Sequence, residues 1–279
     1  MSAPAHTAPT KAAIDFTDPV AGHRANVKLR GTLGNGWVWR TYWGDVLASL
    51  PEGKPVPLFK FEGVIKARWT DNGDGSNTEL LFDVSTYRDW NTGQILEKFQ
   101  NPLTNETNDV IGVWDGPTAT TYGPNGRFGP GAASKPTTPV VLPWRIQSGR
   151  AWLAESAAFE RPHPLSPAEW PKASSGPKTM SAINVNISGE LRDLENKKPS
   201  APHDLQWTSM RSWLPWLELG QRPGYVLTMG IGRKINGPDE LPASAREIIA
   251  KQQPNFITDE QPWAEALSSW ERYKKLRQP

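Results

Sequence analysis

The sequence predicts a mainly β chain, an antiparallel β-barrel of about ten strands, lipocalin-like in architecture, with two C-terminal helices packed outside. Three observations lead there. Fourteen tryptophans and no cysteine in 279 residues suit a wide, flat-walled apolar interior that no disulfide holds together. From Trp37 to Val113 apolar and polar residues alternate with the period of a strand. No strand–helix–strand alternation and no internal repeat is visible, which leaves a parallel α/β sheet without support. A large antiparallel sheet tends to close on itself, because closure removes its edges and leaves an interior for a small ligand.

The elements follow in order. Residues 1–18 are rich in Ala, Pro and Thr and are expected to form a flexible arm; residues 19–279 are expected to form one domain. Between Leu58 and Trp69 the odd positions Phe59, Phe61, Gly63, Ile65, Ala67 and Trp69 are apolar or small. The even positions include Lys60, Glu62, Lys66 and Arg68, so this is a strand with two unlike faces. Asp71 to Asn77 supplies turn residues, and Glu79 to Arg88 forms the second arm of a hairpin. The turn is not a calcium loop, since Gly73 and Gly75 stand where oxygen ligands are required. After the Asp89–Gly93 turn, strands are expected over Ile95–Gln100 and Asp109–Trp114. Residues 115–140 are Gly/Pro/Thr-rich and read as a long loop over a site. Further strands are expected at Trp144–Ile146, Arg150–Phe159, Ile183–Leu194, Leu205–Ser212 and Tyr225–Arg233, with a Pro-rich loop over Arg161–Pro177. Only the end reads as helical: Pro242–Gln253, and Glu260–Leu276 with Trp263, Leu267, Trp270 and Tyr273 at helical spacing.

Composition narrows the function classes. Formal net charge is +2 and the basic residues are spread among acidic ones, which argues against a nucleic-acid partner. The basic cluster Arg272, Lys274, Lys275 and Arg277 reads as a solvated helix end. No apolar run reaches the length of a signal peptide or a membrane span, so no membrane insertion is expected. The expected location is cytoplasmic unless an export signal has been removed. Oligomeric state is open, and a homo-oligomer is compatible with the sequence. The four histidines show no paired spacing, and thiolate ligands are absent, so neither a metal nor another cofactor is expected. Gly-x-Ser-x-Gly is missing. Gly230-Ile231-Gly232-Arg233-Lys234 lacks the third glycine and the following helix of a phosphate cradle.

Carboxylate, tyrosine, arginine and histidine remain as the groups for acid–base chemistry. Tyr87 and Asp89 share one face at a strand end. Asp89 reads either as a general base beside a phenol or as the start of an Asx turn. His163, set in Arg161-Pro162-His163-Pro164, reads either as a positioned base or as a surface histidine in a stiff loop. His203-Asp204 is a weaker instance of the same kind. Trp207-x-Ser209-x-Arg211 shares one strand face. Arg211 either stabilises negative charge on a ligand oxygen or pairs with Glu62 or Glu218. The candidate catalytic set is therefore Asp89, His163, Tyr87 and Arg211. Candidate substrate-binding residues are Trp39, Trp43, Glu62, Arg68, Trp152, Trp207, Trp213 and Trp216, with the inside and outside of the strands undecided.

Two stretches carry a family likeness. One is Phe61-Glu62-Gly63, Tyr87 to Leu96 and Asn101 to Glu106. The other is Trp213-Leu-Pro-Trp216-Leu-Glu-Leu-Gly220, Pro223-Gly224, Lys234 and Glu240-Leu241-Pro242. Together and in this order they resemble the bacterial domain-of-unknown-function family numbered eighteen thirty-eight, over most of residues 20–275. Members of that family often carry a twin-arginine export signal, and none is visible here. The resemblance implies one continuous domain and carries no activity or catalytic residue with it. The functional expectation is a cofactor-independent lyase, hydratase or isomerase acting on a hydrophobic aromatic or steroid-like molecule inside the barrel. The alternative is a non-catalytic carrier for such a molecule. Two or more ionisable groups converging in the lumen favour the enzyme, and one polar anchor in an apolar lumen favours the carrier.

Overall fold

Segments with period-two alternation become long strands. In the computed structural model, which describes residues 13–129, 137–265 and 267–278, β1 (Gly36–Ser49), β2 (Val56–Asp71) and β3 (Asn77–Arg88) form a meander. The chain then makes a separate two-stranded ribbon of β4 (Lys98–Gln100) and β5 (Thr107–Asp109). It returns as β6 (Val113–Gly123) and β7 (Gly126–Phe128). β8 (Trp144–Gln147), β9 (Arg150–Pro162), β10 (Lys178–Glu190), β11 (Asp204–Arg211) and β12 (Tyr225–Ile235) complete a ten-stranded antiparallel sheet of order β7-β6-β3-β2-β1-β12-β11-β10-β9-β8. The first and last long strands join its two halves, from Trp39 opposite Ile235 to Ser49 opposite Tyr225.

The sheet curls into an open half-barrel, which corrects the expectation of a closed one. Its edge strands β7 and β8 have three and four residues and do not pair with each other. A helix, α1 (Pro19–Arg30), lies between the two arms instead, against β6 on one side and β10 on the other. Val27 packs with Trp69 and Tyr122, and Leu29 with Ala151 and Ile187. Sequence reading missed this helix because eight of its twelve residues are buried, among them His23, Asn26, Lys28 and Arg30. A helix enclosed on several sides shows no apolar stripe. The start signal was present, since the Asp18 carboxylate accepts from the N–H groups of Val20 and Ala21 ahead of Pro19.

Other expectations shift as well. Residues 1–12 of the expected arm lie outside the described residues, but residues 13–18 are docked. The Ala13 N–H donates to Glu195 at 2.6 Å, and Phe16 packs on Trp144 at 5.0 Å between ring centroids. The expected loop over 115–140 contains most of β6, whose threonines suit a strand, and all of β7; residues 130–136 lie outside the described residues. Of the two expected C-terminal helices, α3 (Ala243–Gln252) forms nearly as read, after the short α2 (Leu191–Glu195). The other is limited to α4 (Ser269–Arg277), where Ser268 and Glu271 form a capping box. Trp263 stands outside it, stacked on Phe256 at 5.8 Å.

The two faces are covered differently. On the convex face α3 buries Ala245, Ile248 and Ile249 with Trp39, Val64, Phe82 and Val84. On the concave side one end is filled by Phe59, Phe99, Leu165, Trp213, Trp216, Leu217 and Tyr273 of α4. α1 fills the other end. Between them the trough floor is kept low by glycine. A Cβ at Gly63 would overlap the Tyr42 ring, and one at Gly230 would overlap the Trp207 indole.

Candidate functional site

The trough encloses a cavity of about 460 Å³, within the size range of small-molecule sites. Strand pairing places ionisable groups in one row across its floor. Asp115, Asp83, Ile65, Arg40 and Lys234 stand opposite one another on β6, β3, β2, β1 and β12. His203 follows, its carbonyl accepting from the Lys234 N–H at 3.1 Å. Tyr42, two residues beyond Arg40 on the same face, donates its hydroxyl to Asp83 Oδ1 at 2.5 Å. Burial pushes Asp83 up to about 7; the Tyr42 hydrogen bond opposes that rise, and the neighbouring Asp115 charge adds to it. Burial, followed by the charge of Asp83, drives Tyr42 well above the usual phenol range, so it remains a neutral donor. Tyr87, four residues along β3 from Asp83, is raised by burial to about 12.

The far end of the cavity is also polar. Arg40 pairs with Glu79, whose other oxygen accepts from the Tyr122 hydroxyl at 3.1 Å. Arg30 of α1 and Arg127 of β7 both approach Glu155 of β9, at 2.7 and 3.5 Å. Asp83 lies four residue steps along β3 from Glu79, a span of about 13 Å at ~3.3 Å per residue. His203 and Lys234 serve the helix. His203 Nδ1 lies 2.7 Å from the Leu29 carbonyl, which can only accept, so the proton sits on Nδ1. Lys234 Nζ shares its three N–H donors among four acceptors, the carbonyls of Lys28, Gly31 and Ala201 and the Ser200 hydroxyl, at 2.8–3.2 Å. Together they occupy the carbonyls that a helix C-terminus leaves open.

Apolar side chains make the walls: Leu81, Ile183, Val185, Leu205, Leu214 and Val226. Trp207 stands edge-on to Tyr42 at 5.5 Å and close to Phe61 at 5.6 Å.

Of the residues singled out from sequence, the structure brings Tyr87, His203, Trp207 and Arg211 together in this cavity. Arg211 does not pair with Glu62 or Glu218. Arg88 holds Glu62 at 2.8 Å, and Tyr273 donates to Glu218 at 2.8 Å. Asp89 lies beyond the end of β3 in an Asx turn, away from the lining. Its Oδ1 accepts from the N–H groups of Asn91 and Thr92 and from the Thr92 hydroxyl, and these bonds, those of Thr92 foremost, hold its carboxyl below the usual range. His163 likewise stands outside the lining. Its Nδ1 accepts from the Leu165 N–H at 3.0 Å, its ring meets Trp270 at 5.8 Å, and burial lowers its pKa.

The binding candidates divide by strand parity. Odd positions face inward on β2 and even positions on β1, so Glu62, Arg68, Trp39 and Trp43 point outward. Trp39 is buried under Phe256 of the convex layer, and Arg68 meets Glu260 at 3.3 Å. Trp43 and Trp152 are each 43% exposed, outside the trough. Trp213 and Trp216 are fully packed in the apolar end, with the Trp213 Nε1–H on the Arg222 carbonyl at 2.8 Å.

Sequence reading missed Tyr42, Glu79, Asp83, Ser85 and Asp115. The available signal was the single face Glu79-Leu81-Asp83-Ser85-Tyr87, which carries a polar side chain at four of its five positions. Among the described residues no three His, Asp or Glu side chains cluster as a metal site.

A family described as protein of unknown function, DUF1838, matches residues 37–277. The chain belongs to that family, and the residues of the cavity floor fall inside the match. No curated protein matches the chain.

Proposed function

We propose that the trough is an active site for acid–base chemistry on a hydrophobic aromatic or steroid-like molecule, of the lyase, hydratase or isomerase type, with Asp83 as the proton carrier. The observation that supports this reading is the Tyr42–Asp83 pair inside a largely apolar cavity. A carboxyl that ionises near 7 is a base matched to neutral pH. As the carboxylate it takes a proton from a carbon next to a carbonyl. The C–H electron pair forms a carbon–carbon double bond as the carbonyl π pair moves onto the oxygen, and the proton rests on Asp83. Return of the proton at another carbon, with the oxygen pair restoring the carbonyl, completes an isomerisation; departure of a β-substituent with its bonding pair, protonated by Asp83 as the carbonyl reforms, completes an elimination. The Tyr87 hydroxyl, in the same lining, supplies a donor for the oxygen. In this scheme Asp83 takes the role that sequence reading gave to Asp89 or His163.

The test is a small-molecule screen by native mass spectrometry, followed by incubation with each bound compound. Asp83→Asn is expected to fold, bind and lose turnover by about 10²–10⁴-fold. Undiminished turnover in that variant overturns the assignment. Compounds that bind and leave unchanged with the wild type favour the carrier reading, which the continuous apolar wall supports.

A further inference from the structure

Four arginines line the cavity, and three have carboxylate partners: Arg40 with Glu79, and Arg30 and Arg127 with Glu155. The guanidinium of the fourth, Arg211, makes no hydrogen bond or ion pair with any described residue. It is partly buried beside Leu214 and Val226. Its charge acts on Asp83 and Tyr87 from a distance, but the guanidinium has lost part of its water without gaining a hydrogen-bonding partner. Its planar fork of donors matches a carboxylate.

We infer that the substrate is an apolar carboxylic acid whose carboxylate is held by Arg211. Trp207, four residues earlier on the same face of β11, lies between Arg211 and the Tyr42–Asp83 pair. Its indole meets the Tyr42 ring edge-on at 5.5 Å. An acid anchored at Arg211 therefore lays its apolar body over Trp207 and brings its far portion to Asp83. One guanidinium balances one negative charge. A phosphate dianion would leave a charge uncompensated in a cavity that already holds Asp83 and Asp115. The inference rests on the acid–base reading only for which part of the ligand reacts; the anchoring at Arg211 is independent of it.

Calorimetry with 4-biphenylcarboxylate and its methyl ester tests the anchor at pH 8. The acid is expected to bind the wild type roughly tenfold or more tightly than the ester, the scale of a charge-assisted hydrogen bond. Arg211→Met is expected to bring the acid down to the level of the ester, and Arg211→Lys to keep part of the preference. Should Arg211→Met fail to fold, the wild-type preference and the lysine variant decide. Equal binding of acid and ester, binding of neither, or an unchanged preference in Arg211→Met overturns the inference. Asp83→Asn separates the two proposals. It keeps the preference for the acid if the anchor is right, whether or not turnover is lost.

Discussion

Asp83 works against the stability of the chain that positions it. Burial raises its pKa from 3.8 to about 7, so the folded state holds a proton that the unfolded state has already released. The contribution of Asp83 to stability is therefore full below pH 4 and is lost as pH rises through 7, by about 4 kcal/mol at ~1.4 kcal/mol per pH unit. Asp83→Asn removes this cost. It is expected to melt above the wild type at pH 8, with the gap closing toward pH 4. A variant that melts below the wild type at pH 8 would show that the charged form is welcome where it sits. Tyr42→Phe removes the hydrogen bond that favours the carboxylate, so the Asp83 titration followed by infrared carboxyl absorption is expected to move to higher pH. The sequence displayed part of this site. Tyr87, Trp207 and Arg211 were legible as chemistry-bearing residues on strand faces. Asp83 was not, because a carboxylate in an alternating strand looks like a solvent-facing residue until the inner face is known. Asp89 drew notice through the strand face it shares with Tyr87 and His163 through its stiff Pro-flanked segment, and both are taken up by local turn hydrogen bonds.

At the scale of elements, the long strands were readable because period two persists over many residues, as in β2 and β3. α1 was not, because its polar residues find partners that lie far away in sequence. Lys28 Nζ reaches the Leu194 carbonyl at 2.8 Å, and the α1 C-terminus is closed by Lys234, some two hundred residues on. No local pattern encodes such a cap. Lys234→Met is expected to destabilise the fold by roughly 3 kcal/mol, since it leaves buried carbonyls unsatisfied. Asp18→Ala is expected to cost about 1 kcal/mol, the usual value of an N-cap. Urea unfolding followed by tryptophan emission measures both, and a lysine variant no weaker than the Asp18 variant would remove Lys234 from this role.

At the scale of the molecule, the half-barrel has a long open side. Arg127 on one arm and Glu155 on the other meet across it, with Arg30 of the helix between them. Arg127 is half exposed, so this contact is open to screening by salt. Glu155→Gln is expected to speed amide hydrogen exchange in β7 and β9 while leaving β1, β2 and β12 unchanged; uniform exchange across the sheet would show that the arms do not move separately. Closure itself was not legible, because a strand pattern reports alternation and not whether the two edges meet. The floor of the trough has a different consequence, for how this protein can change over generations. Tyr42 and Trp207 lie directly on Gly63 and Gly230, so those two positions admit no side chain without displacing a ring. Single substitutions that reshape the cavity come more easily from the walls, such as Leu81, Ile183, Val185, Leu205, Leu214 or Val226. Divergence in ligand preference among descendants of this chain should therefore be written on these wall positions of β3, β10, β11, β12 and the β11–β12 connection, with the floor glycines left as they are.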